Sequence, residues 1–456
     1  MKDYFKNTRL ILVLFHLLLG VLLLNGIFAK FYGIIIIFVG FISVVKSRNR
    51  LEQAALWSAY LAGSDVLFRM SGGLLLHEMH KYAIVLYMLT AMLIEPKKSK
   101  LNLTFVVYIV LLLVGIAFTD VPFDESLRKA ITFNLSGPIS LGFIAIYFYK
   151  REYSLKKLLD ILFCLGLPVI SMLTLLYFRT PDIKSIVFGG VANFETSGGY
   201  GPNQVSTILG VGMFVLAVHL LYKKRYSAFL FLDVLLLLYI FYRNLLTFSR
   251  GGFLTGAIAL LFFGVLFIMS RKDRVRSFLK YSAIVSLFGI ALWLYTVDVT
   301  GGMLTNRYTN KNARGVEKQD VTAGRENILN TELQGLYENP IFGMGVGSGK
   351  YRRMEETGIV AASHNEISRL LGEHGAIGMI ILLILIAVPI FNALKQPTYA
   401  KAFLGAFFIF WFLTINHSAM RVSFPGFIYG LSLIRIKLEE NKLTSKSIEK
   451  NSVHRK

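Results

Sequence analysis

The residues with types and spacing suited to chemistry collect between Gly324 and Gly378, and at the ends of nearby apolar runs. His364 stands in Ser363-His364-Asn365-Glu366, where Ser363 and Glu366 have the spacing of a capping box. That spacing predicts Ser363 as N-cap and His364 in the first helical turn. There the positive end of the helix dipole disfavours imidazolium, and a neutral imidazole can accept a proton as a general base. The competing reading is a surface histidine beside a structural cap. Arg250, in Ser249-Arg250-Gly251-Gly252, lies at the mouth of an apolar run. It could hold a phosphate through its guanidinium fork, or simply snorkel at a helix end. Arg325, in Gly324-Arg325-Glu326, opens an amphipathic stretch ending before Pro340. It is a second phosphate candidate, or half of a plain Arg–Glu pair. Asn203 and Gln204, after Pro202, could hydrogen-bond a sugar or mark a helix start.

Other motifs are weaker. The run Gly343-Met344-Gly345-Val346-Gly347-Ser348-Gly349 could offer backbone N–H groups to an anion. It matches neither a Walker A loop nor a dinucleotide fingerprint, and a turn is the better reading. His77 and His80 flank Glu78 without an HExxH motif or an acidic cluster, so no metal and no cofactor are expected. A Ser-His-Asp hydrolase lacks its G-x-S-x-G elbow.

These residues must be positioned by an apolar chain. Of 456 residues, 55% are hydrophobic and 14% aromatic, which predicts an all-α polytopic integral membrane protein. About fourteen apolar segments lie between residues 10 and 436, giving about 12–14 transmembrane helices. Residues 10–28 are too long for the apolar region of a signal peptide and read as the first span. The expected organisation is spans over 1–299, one large extracytoplasmic loop over 300–375 with short helices, final spans over 376–436, and a disordered tail over 437–456. The formal charge of +22 could suggest nucleic acid, but the 49 Lys and Arg concentrate in short loops such as 46–50, 96–100, 150–157 and 270–280. The positive-inside rule then puts both termini in the cytoplasm, with no nucleic-acid partner expected. This topology gathers the unusual polar passages on the outer face: 65–82, 195–204, 246–252, the long loop and 416–426. Cys164 is the single cysteine, so no disulfide can form within the chain.

Taken together, SRGG at a span end, GR early in a long loop, PIFGMGVGS, HNE and LGEHGAIG resemble the O-antigen ligase and O-antigen polymerase superfamily of bacterial inner-membrane proteins. YLAGSDVLFRMSG, FNLSGP, GYGPNQV and SAMRVSFPGFIYG are also similar to it. The resemblance implies an all-helical fold like that of one class of membrane glycosyltransferases. It implies transfer of a glycan from undecaprenyl diphosphate to an acceptor hydroxyl at the periplasmic face, without metal or nucleotide sugar. It further implies that Arg250 and Arg325 hold the diphosphate and that His364 is the base, with other polysaccharide-pathway proteins as candidate partners. Arg69 and Arg421 are secondary candidates for glycan or phosphate contact, and Asn365 could orient His364 or only pack. A ligase would use lipid A core or a similar acceptor, and a polymerase a second lipid-linked repeat unit; the element after the single long loop looks ligase-like. The rival from another class is a lipid-linked oligosaccharide flippase or other transporter, kept open by Asp160 and Asp233 at apolar segments.

Overall fold

The computed structural model describes residues 2–96, 102–122, 126–189, 191–318, 324–358 and 362–438. The loop 97–100 and residues 439–456 of the expected tail lie outside them. Long apolar runs need their backbone groups bonded within the segment, and the chain accordingly folds almost entirely into helices. The first nine are α1 (Lys2–Leu22), α2 (Gly26–Ser47), α3 (Gln53–Ser71), α4 (Met79–Ile94), α5 (Leu103–Val114), α6 (Leu127–Phe148), α7 (Leu155–Arg179), α8 (Pro202–Leu221) and α9 (Leu230–Leu246). After them come α10 (Arg250–Met269), α11 (Arg274–Val299), α12 (Met303–Tyr308), α13 (Arg325–Glu338) and α14 (Ser348–Thr357). The last are α15 (Glu366–Leu394), α16 (Thr398–His417) and α17 (Phe424–Leu431). Among the described residues, eight helices are long and apolar enough to cross a membrane: α2, α6, α7, α8, α10, α11, α15 and α16. Three shorter apolar helices accompany them, at Asn7–Leu22, Met79–Ile94 and Leu103–Phe118.

The segment expected to make the last span behaves differently. Its helix α17 has eight residues, about 12 Å at 1.5 Å per residue, well short of a membrane core of about 30 Å. The chain then extends into β2 (Arg435–Lys437), which pairs in parallel with β1 (Glu152–Ser154). Beside that pair, Arg151 bonds Glu95 through two nitrogens at 2.8 and 2.9 Å and lies over the Tyr147 ring. This end of the bundle is tied by its own charges.

The helices around the other end are brought close by small residues. A Cβ on Gly252 would lie 2.5 Å from Ser206 Oγ and 2.7 Å from the Thr207 nitrogen, so α10 packs directly on α8. A Cβ on Gly251 would meet the His417 ring at 2.7 Å, which seats α16 against the same turn. Helix α15 kinks at Gly375, where φ is 59° and ψ is −134°, a conformation open to glycine alone. The kink admits Ile341 and Gly343, at the start of the Gly-rich run, whose backbone atoms would lie 2.8 Å from a Cβ there. The N–H groups of residues 344, 345 and 346 donate to the carbonyls of Gly372, Glu373 and Gly115. That of Gly347 donates to the Glu373 carboxylate at 2.9 Å. The run is a packed turn whose N–H groups are used within the fold.

Candidate functional site

The site begins at the N-terminus of α10. Ser249 is the N-cap, and its hydroxyl donates to Asn203 Oδ1 at 2.8 Å, joining the SRGG turn to the start of α8. Arg250 follows at the first helical position and donates to Asn310 Oδ1. Arg307, on the short α12, donates from Nε to the Phe248 carbonyl at 2.9 Å, which holds it beside the same turn. Arg325 is the first residue of α13, after Gly324 at φ 77°.

These cations press on one another. Burial, and then the Arg250 and Arg325 charges, push the Arg307 guanidinium down to about 10. Burial and Arg250 lower Arg325, and burial with Arg307 and Arg250 lowers Lys318. Like charges held together in a partly desolvated place raise the free energy of the charged forms. A polyanion that accepts hydrogen bonds from several guanidinium groups relieves that repulsion, and a diphosphate has the charge and geometry to do so.

His364 lies beside this cluster. Asn365, and not Ser363, caps α15: its Oδ1 accepts from Ile367 N at 2.9 Å and Ser368 N at 3.5 Å. Glu366 does not reach back as a capping box requires, because its carboxylate is bonded to Arg369 three residues on. His364 therefore precedes the helix instead of occupying its first turn. It is still neutral, for another reason: burial, then the Arg421, Arg325, His417 and Arg353 side chains, lower its pKa to about 4. Its position is fixed through the backbone. The His364 carbonyl accepts from Ala419 N at 3.1 Å, and the Ser363 carbonyl accepts from Arg421 Nη2 at 2.6 Å.

Arg69 stands one step behind. Its Nε donates to the buried Asp65 carboxylate at 2.8 Å, and Nη2 donates to the His77 carbonyl at 2.7 Å and the Arg421 carbonyl at 3.5 Å. Asp65 also accepts from Ser423 N at 2.7 Å. Arg69 is thus committed to holding the turn that carries Arg421. The Arg421 guanidinium lies 5.7 Å from the centre of the Phe133 ring.

The residues singled out in the sequence fall into three groups. Arg250, Arg325, His364 and Arg421 converge, each within electrostatic reach of the next. Asn203, Asn365 and Arg69 support them by hydrogen bonds to the turns that carry the cluster. Gln204 sits in the turn opening α8, with its N–H on the Gly201 carbonyl at 3.1 Å. Sequence reasoning missed Arg307, Lys318, Arg353 and Asn310. Only a count of cations inside the long loop points to the first three. Arg353 donates to Glu332 at 3.4 Å, and Ser368 donates to the same carboxylate at 2.5 Å, which ties α14, α13 and α15 together. Among the described residues, no three His, Cys, Asp or Glu side chains gather as a metal site.

No curated protein and no solved structure matches the chain. Residues 235–383 match the family model described as O-Antigen ligase. The matched stretch runs from α9 into α15 and holds Arg250, Arg307, Arg325 and His364 together. That match lies over the site, so the stretch that carries these residues is an O-antigen ligase domain, set among helices suited to the membrane.

Proposed function

We propose that this protein transfers a glycan from undecaprenyl diphosphate to an acceptor hydroxyl, as an O-antigen ligase, at the periplasmic face of the bacterial inner membrane. In this arrangement both termini are cytoplasmic and residues 300–375 form the periplasmic loop. The observation that carries the proposal is the placement of neutral His364 next to Arg325, within a group of mutually repelling cations. Arg250, Arg307 and Arg325 bind the donor diphosphate and stabilise the charge that grows on it as the sugar C1–O bond breaks. His364 takes the proton of the attacking hydroxyl. Diphosphate is already a good leaving group, so the scheme needs no metal ion and no strong general acid.

Asp160 and Asp233 give the transporter reading no support. Asp160 pairs with Arg9 at 3.0 Å, and Asp233 accepts from the backbone N–H groups of Tyr226 and Ser227 at 2.8 and 2.7 Å. Both carboxylates are used locally. The test is transfer by the purified protein from an undecaprenyl-diphosphate glycan to lipid A core, in excess chelator and without an ion gradient. Product formation is expected; dependence on added metal would sink the metal-free scheme, and dependence on a gradient would favour transport. A polymerase shares this machinery but accepts a second lipid-linked repeat. In a deletion strain, uncapped lipid A core with intact lipid-linked polymer marks a ligase, and single-repeat forms mark a polymerase.

A further inference from the structure

A cavity of about 430 Å³ lies between α4 and α6, and none of the clustered arginines lines it. Tyr82, Leu86 and Leu89 of α4 line one wall, and Ile131, Leu135 and Ile139 of α6 the other. Along α6 it runs from Ile131 to Phe143, about 18 Å at 1.5 Å per residue. It is a narrow apolar slot with its long axis along the helices.

Its mouth lies at the end of the bundle that carries the site. The chain entering α6 touches the long loop there, since Asp120 N donates to Ser348 Oγ at 2.9 Å. Arg128 and Lys129 are exposed in the first turn of α6, and Arg128 acts electrostatically on the Tyr82 hydroxyl at the mouth. Both side chains are free to meet an anionic group presented at the mouth, beside the positive end of the α6 dipole. One step around α6 from the slot, Phe133 lies under Arg421, and Asn134 shares a small pocket with Ser363, the neighbour of His364. Helix α6 thus touches both sides: Phe133 meets Arg421, which acts on His364, and Ile131, Leu135 and Ile139 line the slot. An acceptor must approach the base from the side away from the leaving diphosphate.

We propose that the α4–α6 slot seats an acyl chain of a phosphorylated glycolipid acceptor, with Arg128 and Lys129 on its phosphate and its sugar head at His364. The assignment rests on the transferase reading. An acyl chain fits the length of the slot, whereas an undecaprenyl chain is far longer.

The experiment uses the full-length protein in nanodiscs, with lipid A core as acceptor and an undecaprenyl-diphosphate glycan as donor. Val85→Trp fills the slot, and Arg128→Glu reverses the charge at its mouth. Each is expected to raise KM for lipid A core about tenfold while leaving donor KM within about twofold. A rise in donor KM instead would assign the slot to the prenyl chain, and no change in either would reduce it to a place for bulk lipid; both overturn the proposal. A photo-crosslinker at Leu89 gives a readout independent of turnover. Lipid A core should label it well above phosphatidylglycerol, and equal labelling counts against the slot. Selective labelling by a wild-type protein that transfers nothing would retain the glycolipid site and refute the transferase reading.

Discussion

Arg421 Nη2 donates to the Ser363 carbonyl at 2.6 Å, across 58 residues of chain. The bond ties the turn between α16 and α17 to the bend that carries His364, and Ala419 N on the His364 carbonyl doubles it. The guanidinium is at once a backbone clamp and one of the charges that keep His364 neutral. Lysine has the charge without the planar fork, so Arg421 joins position and electrostatics in a way that lysine cannot reproduce.

His364 sets the first prediction. Its pKa is lowered to about 4, so it is neutral and able to accept a proton at any pH well above that value. The acid limb of kcat is expected near pH 4 and not near the ordinary histidine value of about 6.5. His364→Gln should lower kcat by about 10²–10⁴-fold and remove that limb. A limb that persists unchanged in the variant would show that another group titrates.

The sequence made the membrane-helix architecture plain, because long apolar runs leave the backbone little choice. SRGG also stood out, and its glycines now have a physical account in the contacts with Ser206, Thr207 and His417. What lay hidden depends on tertiary competition. Glu366 has capping-box spacing, yet Arg369 takes its carboxylate and Asn365 caps instead. The Gly-rich run read as a turn, but the partners of its N–H groups, residues 115, 372 and 373, are ones no local pattern announces. Arg307 sits in no recognisable motif; only the fold places it beside Arg250 and Arg325. The last apolar segment could not be told from a span, because the strand that ends it pairs with residues 152–154, far away in sequence.

The repelling arginines give a second prediction, free of any assay for turnover. Pyrophosphate should raise the Tm of the wild-type protein, since a ligand that binds only the folded state stabilises it in proportion to RT ln(1 + [L]/Kd). Arg307→Ala should weaken that shift. The ligand-free Tm is not the readout, because the same change removes a repelling charge from Lys318 and also the bond to the Phe248 carbonyl. Equal pyrophosphate shifts in wild type and variant would remove Arg307 from the site.

Gly252 tests the helix contact beneath the cluster. An added methyl group would lie 2.5 Å from Ser206 Oγ and 2.7 Å from the Thr207 nitrogen, so α8 and α10 must separate. Gly252→Ala is expected to cost about 1–3 kcal/mol, the usual range for overpacking. Arg250 rides on the first turn of α10, so donor KM should rise as well. Ala at Gly264, where nothing lies within 4 Å, is the control and should leave both quantities unchanged.

The cap before α15 separates two accounts of how His364 is held. If Ser363 were the N-cap, Ser363→Ala would be the damaging change and Asn365→Ala nearly silent. The bonds run the other way: Asn365 Oδ1 accepts from two helix N–H groups, while the Ser363 hydroxyl caps none, donating to the Asn365 carbonyl at 2.9 Å and reaching the Glu332 carboxylate. Asn365→Ala should therefore cost about 1 kcal/mol, the ordinary value of a lost cap. It should also lower kcat more than it raises donor KM, because the bend carries the base while Arg250 and Arg307 are anchored elsewhere. Asn365→Asp should restore most of the stability, since Asp caps as well as Asn. The measurement is thermal unfolding in detergent together with steady-state transfer for all three variants. A larger loss with Ser363→Ala than with Asn365→Ala would return the cap to Ser363 and His364 to the first turn of the helix.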